Sequence, residues 1–252
     1  RLRMKTLRAS LRIVTWLAGL WFGLASITVA AADTQDTTPA LFPHEATYSA
    51  SMSKGISLSG AGKRSLTDQG NNVWLYRTEV RSFIADIDES VVLLWEDDRV
   101  VPLRYRYSLK GLMIRNREQS IDFDWQTGIA TGKYRGKSFE LELQDGALDP
   151  LGFQLQMHQD LKAGERDLTY NIIDKGRYNE DRFAVVDDDS TTNTNGQTTQ
   201  TLKVEKVRGE DSKRQTLMWI DPNQGHLLLR LLQVEPDGSE YELKLKDATI
   251  RD

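Results

Sequence analysis

A chain of 252 residues with 39% hydrophobic residues, 33 Lys/Arg and 37 Asp/Glu, net −4 at pH 7, is long enough for one large domain or two small ones. The acidic balance disfavours nucleic-acid binding. With no cysteine, lipobox attachment, disulfides, thiolate metal sites and thiol catalysis are excluded.

In chain order, Arg1, Arg3, Lys5, Arg8 and Arg12 precede the apolar run Ile13 to Ala30, and the small residues Ala30, Ala31 and Ala32 close it. A basic start, an apolar middle and a small-residue exit are the parts of a secretory signal peptide. Residues 1–31 are therefore expected to be cleaved near Ala30 to Ala32, leaving a periplasmic protein that touches a membrane only before cleavage. An uncleaved anchor is the rival reading, because about 18 apolar residues approach the minimum span of a bilayer. Arg1 cannot initiate translation, and Met4 is the available start. Removal of residues 1–31 takes five basic and no acidic residues, leaving 28 against 37, net −9. Residues 32–43 read as a disordered spacer, since Asp33 to Pro39 has nothing to bury. No Pro/Gly/Ser-rich linker divides the remainder of the chain, so 44–252 reads as a single β-rich domain.

From Ala46 onward, apolar and polar residues alternate in short runs bounded by Gly, Asn and Asp, the pattern of half-buried strands. The runs are Ala46 to Met52, Ile56 to Leu66, Val73 to Phe83, Glu89 to Glu96, Val100 to Leu109, Met113 to Trp125, Ile129 to Tyr134 and Ser138 to Leu143. Gly60-Ala61-Gly62-Lys63 lacks the four-residue spacer of a phosphate loop and reads as a bulge or bend in a strand.

Leu148 to Glu165 (LDPLGFQLQMHQDLKAGE) is the one convincing helix after residue 31. Asp149 is placed to cap it, Pro150 suits its first turn and Gly164 stops it. Leu148, Leu151, Phe153, Leu155, Met157, His158 and Leu161 fan over more than half the helical wheel, leaving Asp149, Gln156, Gln159 and Asp160 for water. So wide an apolar face asks for a concave partner. Strands resume at Asp167 to Asp174 and Arg177 to Val186. Asp187 to Gln200 (DDDSTTNTNGQTTQ) has no apolar residue and reads as a solvated loop, and its acidic positions do not fit a calcium loop. Leu202 to Arg208, Arg214 to Asp221, His226 to Val234 and Tyr241 to Ile250 complete the chain.

Two stretches carry a family resemblance: Asp149 to Gly164 leading into Tyr170-Asn171-Ile172-Ile173-Asp174, and the ending MWIDPNQGHLLLRLLQVEPDGSEYELKL. Over about residues 44 to 250 the chain resembles the exported bacterial domain-of-unknown-function family 3108 (DUF3108). The resemblance implies an exported β-rich fold and transfers no catalytic residue; where that family often shows Pro before the penultimate strand, His226 stands here. More loosely, the expected architecture is similar to the half-barrels of the Lol-type lipoprotein carriers.

The expected fold is mainly β: a curved open antiparallel sheet or half-barrel of about ten to twelve strands, with one helix packed on its concave face. No H-x-H, H-E-x-x-H or G-x-S-x-G motif is present, so no metal site, cofactor or hydrolytic triad is expected. The function read from this pattern is a non-enzymatic envelope protein that binds a lipid or other amphiphile between helix and sheet. Its groove candidates are Leu151, Phe153, Leu155, His158, Leu161, Tyr105, Tyr107 and Trp125. Two alternatives belong to other classes. One is a glycan hydrolase using Asp122 and Asp124, which share a strand face about 7 Å apart. The other is an adaptor that binds an envelope partner protein through a sheet edge.

Overall fold

A computed structural model describes residues 41–54, 56–112 and 115–250. The proposed signal peptide, and the spacer up to residue 40, lie outside them. Eight strands precede the helix: β1 His44–Lys54, β2 Ile56–Asp68, β3 Val73–Ser82, β4 Ala85–Glu96, β5 Arg99–Gly111, β6 Arg117–Asp124, β7 Ile129–Tyr134 and β8 Lys137–Glu142. After α1 (Gly152–Lys162) come β9 Asp167–Asp174, β10 Arg177–Thr194, β11 Gln197–Val207, β12 Gln215–Asp221, β13 Leu227–Val234 and β14 Glu240–Ile250. All fourteen strands form one antiparallel sheet in the order β8-β7-β6-β5-β4-β3-β2-β1-β14-β13-β12-β11-β10-β9. The expected curved open sheet with one inner helix is therefore correct in kind, with fourteen strands instead of ten to twelve.

Every connection but one joins sheet neighbours. The exception is the helical crossing β8-α1-β9, while the pairing of β1 with β14 unites the two halves through the chain's distant ends. The edge strands β8 and β9 share no backbone ladder, so the sheet does not close into a barrel. Side chains lace the seam instead. The Tyr178 hydroxyl donates to Glu142 O and accepts from Gln144 N, both at 2.9 Å, and Asn171 Nδ2 donates to Gln144 Oε1 at 3.2 Å. Leu148 forms a single parallel bridge to Ile172 on the free side of β9.

Alternation puts Leu66, Trp74, Tyr76, Val91, Leu93, Tyr105, Ile121 and Phe123 on the inner face, where they merge with Leu151, Leu155, Met157 and Leu161 of α1 into one core. Arg104, Arg106 and Asp122 lie on the outer face. Leu41 belongs to this core at 6% exposure, so the expected disordered spacer ends short of residue 43. No helix among the described residues is long and apolar enough to cross a membrane.

Three local expectations are corrected. Residues 187–200 are no loop: β10 and β11 pair through them and turn at Asn195-Gly196, with Thr192 and Thr201 buried. Both turn residues have positive φ (55° and 79°), the two-residue geometry that Asn-Gly favours. Register slips at Asp187 and Ser190 absorb the acidic run. Gly60 and Gly62 sit in uninterrupted ladders to β1 and β3; Gly60 is required by close approach, since a Cβ there would stand 2.5 Å from Arg81 O. Asp149 and Gln156, assigned to water on the helical wheel, are both buried, because α1 lies inside the curl and meets protein on most of its circumference.

Candidate functional site

The hairpins divide the molecule into two ends. Turns at Gly70 to Asn72, Asp97-Asp98, Gln126 to Gly128 and Pro222 to His226 gather at the end that holds α1. Turns at Phe83-Ile84, Arg208 to Arg214 and Glu235 to Ser239 gather at the opposite end.

At the helix end the interior is filled. Asp149 Oδ1 accepts from Leu151 N at 2.9 Å and Gly152 N at 2.8 Å, which is capping geometry one turn ahead of the regular helix. Gly152 permits this closeness: a Cβ there would stand 2.4 Å from Asp149 Oδ2. Burial pushes the Asp149 carboxyl up to about 7 despite the two hydrogen bonds that pull it down. Gln156 ties the helix to the β4–β5 turn, its Oε1 accepting from Val100 N at 2.7 Å and its Nε2 donating to Asp98 O at 3.2 Å. The helix is thereby a plug, fixed at its start by Asp149 and to the β4–β5 turn by Gln156, with Leu151, Leu155, Met157 and Leu161 buried in the core.

The eight groove residues expected from the sequence divide accordingly. Leu151, Leu155 and Leu161 are at most 2% exposed. Phe153 packs against Tyr170 and Phe183, and Trp125 stacks on Phe123 while donating Nε1–H to Pro102 O at 2.8 Å. Tyr105 is buried with its hydroxyl donating to Glu89 Oε1 at 2.7 Å. His158 and Leu155 border a gap of about 60 Å³ between helix and sheet, too small for an acyl chain. Tyr107 alone among the eight lines the large opening at the far end. The expected groove between helix and sheet is therefore displaced: the helix fills that position, and the free volume lies beyond it.

That opening is a groove of about 1100 Å³. Its walls carry the half-buried apolar side chains Met52, Val80, Ile84, Ile87, Leu109 and Leu231, contributed by β1, β3, β4, β5, β13 and the β3–β4 turn. Its rim carries Arg115, Arg117 and Arg214, with Arg214 paired to Glu235 at 2.6 Å. Alternation marks each strand residue of the wall as inward-facing, yet says nothing of whether inward means filled. The sequence offered that much signal and no more.

Other candidates lose their geometry. Asp122 lies on the outer face and pairs with Arg106 at 2.8 Å, and Asp124 is fully exposed, its Oδ1 accepting from Gln126 N and Thr127 N in the β6–β7 turn. Those bonds hold the Asp124 carboxyl below its ordinary range. Outward carboxylates engaged with arginine and a turn do not flank a glycan cleft. A hollow of about 660 Å³ on the outer side of β3 to β7 is lined by Arg81, Asp86, Asp88, Arg106, Lys110 and Glu118. Its charges answer one another, as in Arg81–Asp88 at 3.8 Å. The edge strand β8 carries Lys137, Glu140 and Glu142, the charged guard that discourages strand addition.

A family model described as "Protein of unknown function (DUF3108)" matches residues 47–246. No curated protein matches. Among solved structures, a crystal structure of a beta-barrel-like protein of domain of unknown function DUF1849 from Brucella abortus is similar, with a TM-score of 0.55 and 12% identity over 84% of this chain and 99% of its own. A DUF1329 family protein from Desulfovibrio piger aligns over 85% of this chain and 88% of its own at 8% identity, with a TM-score of 0.23. The first likeness speaks to the fold.

Proposed function

The chain belongs to the DUF3108 family, and on that premise we propose that it is an exported, non-enzymatic envelope protein that takes the apolar part of a lipid or other amphiphile into the groove at its open end. The supporting observation is the groove itself: about 1100 Å³ walled by uncovered apolar side chains, with arginines at the rim. Ligand sites are concave, mostly apolar and edged by a few polar groups, and an arginine rim suits an anionic headgroup. The plug explains the one-ended design, since a cup closed by α1 admits a chain from one side only.

Binding of a fluorescent apolar probe, followed by competition with fatty acid, tests this reading. Leu109→Glu places a charge on a wall that is already half exposed, so the fold survives while probe affinity falls at least about tenfold, or ~1.4 kcal/mol. Equal affinity in wild type and variant would remove the groove as the site. Native mass spectrometry of protein taken from envelope extract is expected to show bound lipid.

Export rests on residues 1–31. Expression in a bacterial host is expected to deliver the protein to the periplasm with a new N-terminus between Ala31 and Asp33. N-terminal sequencing reads this directly, and an intact start on membrane-bound protein would favour the anchor.

A further inference from the structure

All three histidines of the chain, far apart in sequence at 44, 158 and 226, meet at the helix end. With Arg64 and Lys162 they line the gap of about 60 Å³ between α1, the first strands and the turn before β13. Among the described residues no Asp or Glu contributes to that lining, in a chain whose carboxylates outnumber its lysines and arginines.

Arg64 is only 6% exposed. Its Nε donates to Thr78 Oγ1 at 3.0 Å and its guanidinium lies 5.6 Å from the Tyr76 ring centre, yet Nη1 is buried without a partner among the described residues. Glu89, whose field reaches Arg64, accepts the Tyr105 hydroxyl and makes no ion pair with it among the described residues. The Tyr76 and Tyr48 hydroxyls and the field of Glu89 offset the burial of this charge, yet among the described residues no anion contacts the guanidinium, and a contacting one would answer the donor that Nη1 leaves open. Gln159 supplies a second sign, its Oε1 buried without a partner among the described residues. Exchanging the near-isosteric amide oxygen and nitrogen turns that orphan acceptor into a donor facing the same gap.

We propose that this gap is a binding site for one small oxyanion of the carboxylate or phosphate class, held by Arg64 and Gln159 among the three histidines, with Lys162 at its entrance. The site is independent of the apolar groove. Its volume suits a compact anion, and the apolar walls Leu66, Leu155 and Leu228 exclude a large hydrated one.

Binding is coupled to pH. Burial foremost holds the imidazoles below their ordinary range; Arg64 adds to it at His44, against the Phe42 carbonyl 3.1 Å from Nδ1, Arg64 and the other two imidazoles add at His158, and Lys162 and Arg166 add at His226. Asp221 beside His226 and Glu89 near Arg64 are the opposing charges, and the buried Tyr48 and Tyr76 hydroxyls stay neutral, raised by burial. An anion in the gap reverses the field at the rings, so it binds with proton uptake and tightens as pH falls.

Because only three histidines exist, nitrogen-detected NMR of the full-length protein's imidazoles follows each one. Sodium formate and inorganic phosphate are titrated against chloride at constant ionic strength. The expected result is a saturable shift at His158 and His226, with a dissociation constant about tenfold lower near pH 5.5 than near pH 7.5. Arg64→Gln is expected to abolish it. Should that variant fail to fold, His226→Asn serves, since Asn tolerates the φ of +59° at this position; it is expected to weaken binding several-fold and to flatten the pH dependence. Saturation by one probe and not the other supports the site and sets its size. No saturable shift with either, or an affinity indifferent to both pH and His226→Asn, overturns it.

Discussion

Truncation of Leu155 to alanine is expected to lower the unfolding free energy by about 3 kcal/mol or more, seen as a lower urea midpoint with an unchanged slope. Leu155 is 2% exposed and stands on the inner side of α1, amid Leu66, Tyr76 and the other buried residues of the main core. Two things prevent the site from collapsing around the lost methyl groups. The strands facing it are held on both sides by sheet ladders, and the helix is tied to the β4–β5 turn by Gln156 and to β9 through the Tyr170 hydroxyl, which donates to Asp160 Oδ2 at 2.7 Å. The cavity therefore persists, and its cost adds to the lost transfer energy. Leu231→Ala provides the contrast. Leu231 is half-buried on the groove wall, so its truncation widens an existing opening and is expected to cost below about 1 kcal/mol. Equal costs at the two positions would mean that the helix end is no better packed than the groove, and the division into plug and cup would fail.

The same division explains which features were legible in the sequence. Strand positions were, because a half-buried sheet writes its inner face as a period of two, as along Val73 to Phe83; β12 and β13, continuously buried over Leu217 to Asp221 and Leu227 to Leu229, are apolar runs without that period. The outer part of the β10–β11 hairpin was missed for a physical reason. Residues 187 to 200 reach past the core, so neither face needs apolar residues, and only Asn195-Gly196 marks the turn. A composition test for burial is blind to a hairpin held by its ladder alone.

The wheel of α1 failed at Asp149 and Gln156 because polarity was equated with exposure. Both residues are buried to satisfy backbone N–H groups at the start of a helix and the edge of a strand, a need that becomes visible only when those ends are placed inside the protein. The meeting of His44, His158 and His226 depends on β1 pairing with β14 and on the helix crossing beneath both, bringing His44 together with residues more than 100 positions away. The groove was illegible for a simpler reason: Leu109 and Leu231 have the same alternation as Leu93 and Ile121, and only the length of the plug decides which of them is covered.

Asp149→Asn is expected to change how stability depends on pH. The Asp149 carboxyl is fully buried, and burial raises it to about 7, with Oδ2 lacking a partner among the described residues. In the unfolded chain an aspartate titrates near ~3.9, so between these values the folded state holds a proton that the unfolded state has released. Stability is then full below the lower value and declines as pH rises toward the upper one, by ~1.4 kcal/mol per unit and on the order of 4 kcal/mol in all. His158 acts in the opposite sense. Burial depresses it to about 3, so its contribution is present above the unfolded value near ~6.5 and is lost as pH falls below it. Across the overlap, roughly pH 4 to 6.5, the two slopes offset each other in the wild type. Asparagine keeps the Oδ1 acceptor for Leu151 and Gly152 and removes the titration. Urea unfolding of both proteins at intervals from about pH 4 to 8 should show the variant gaining on the wild type by several kcal/mol as pH rises, while its own stability climbs through the histidine range. A difference curve flat to within about 1 kcal/mol would show that Asp149 is ionised in the fold, with water or an ion reaching Oδ2.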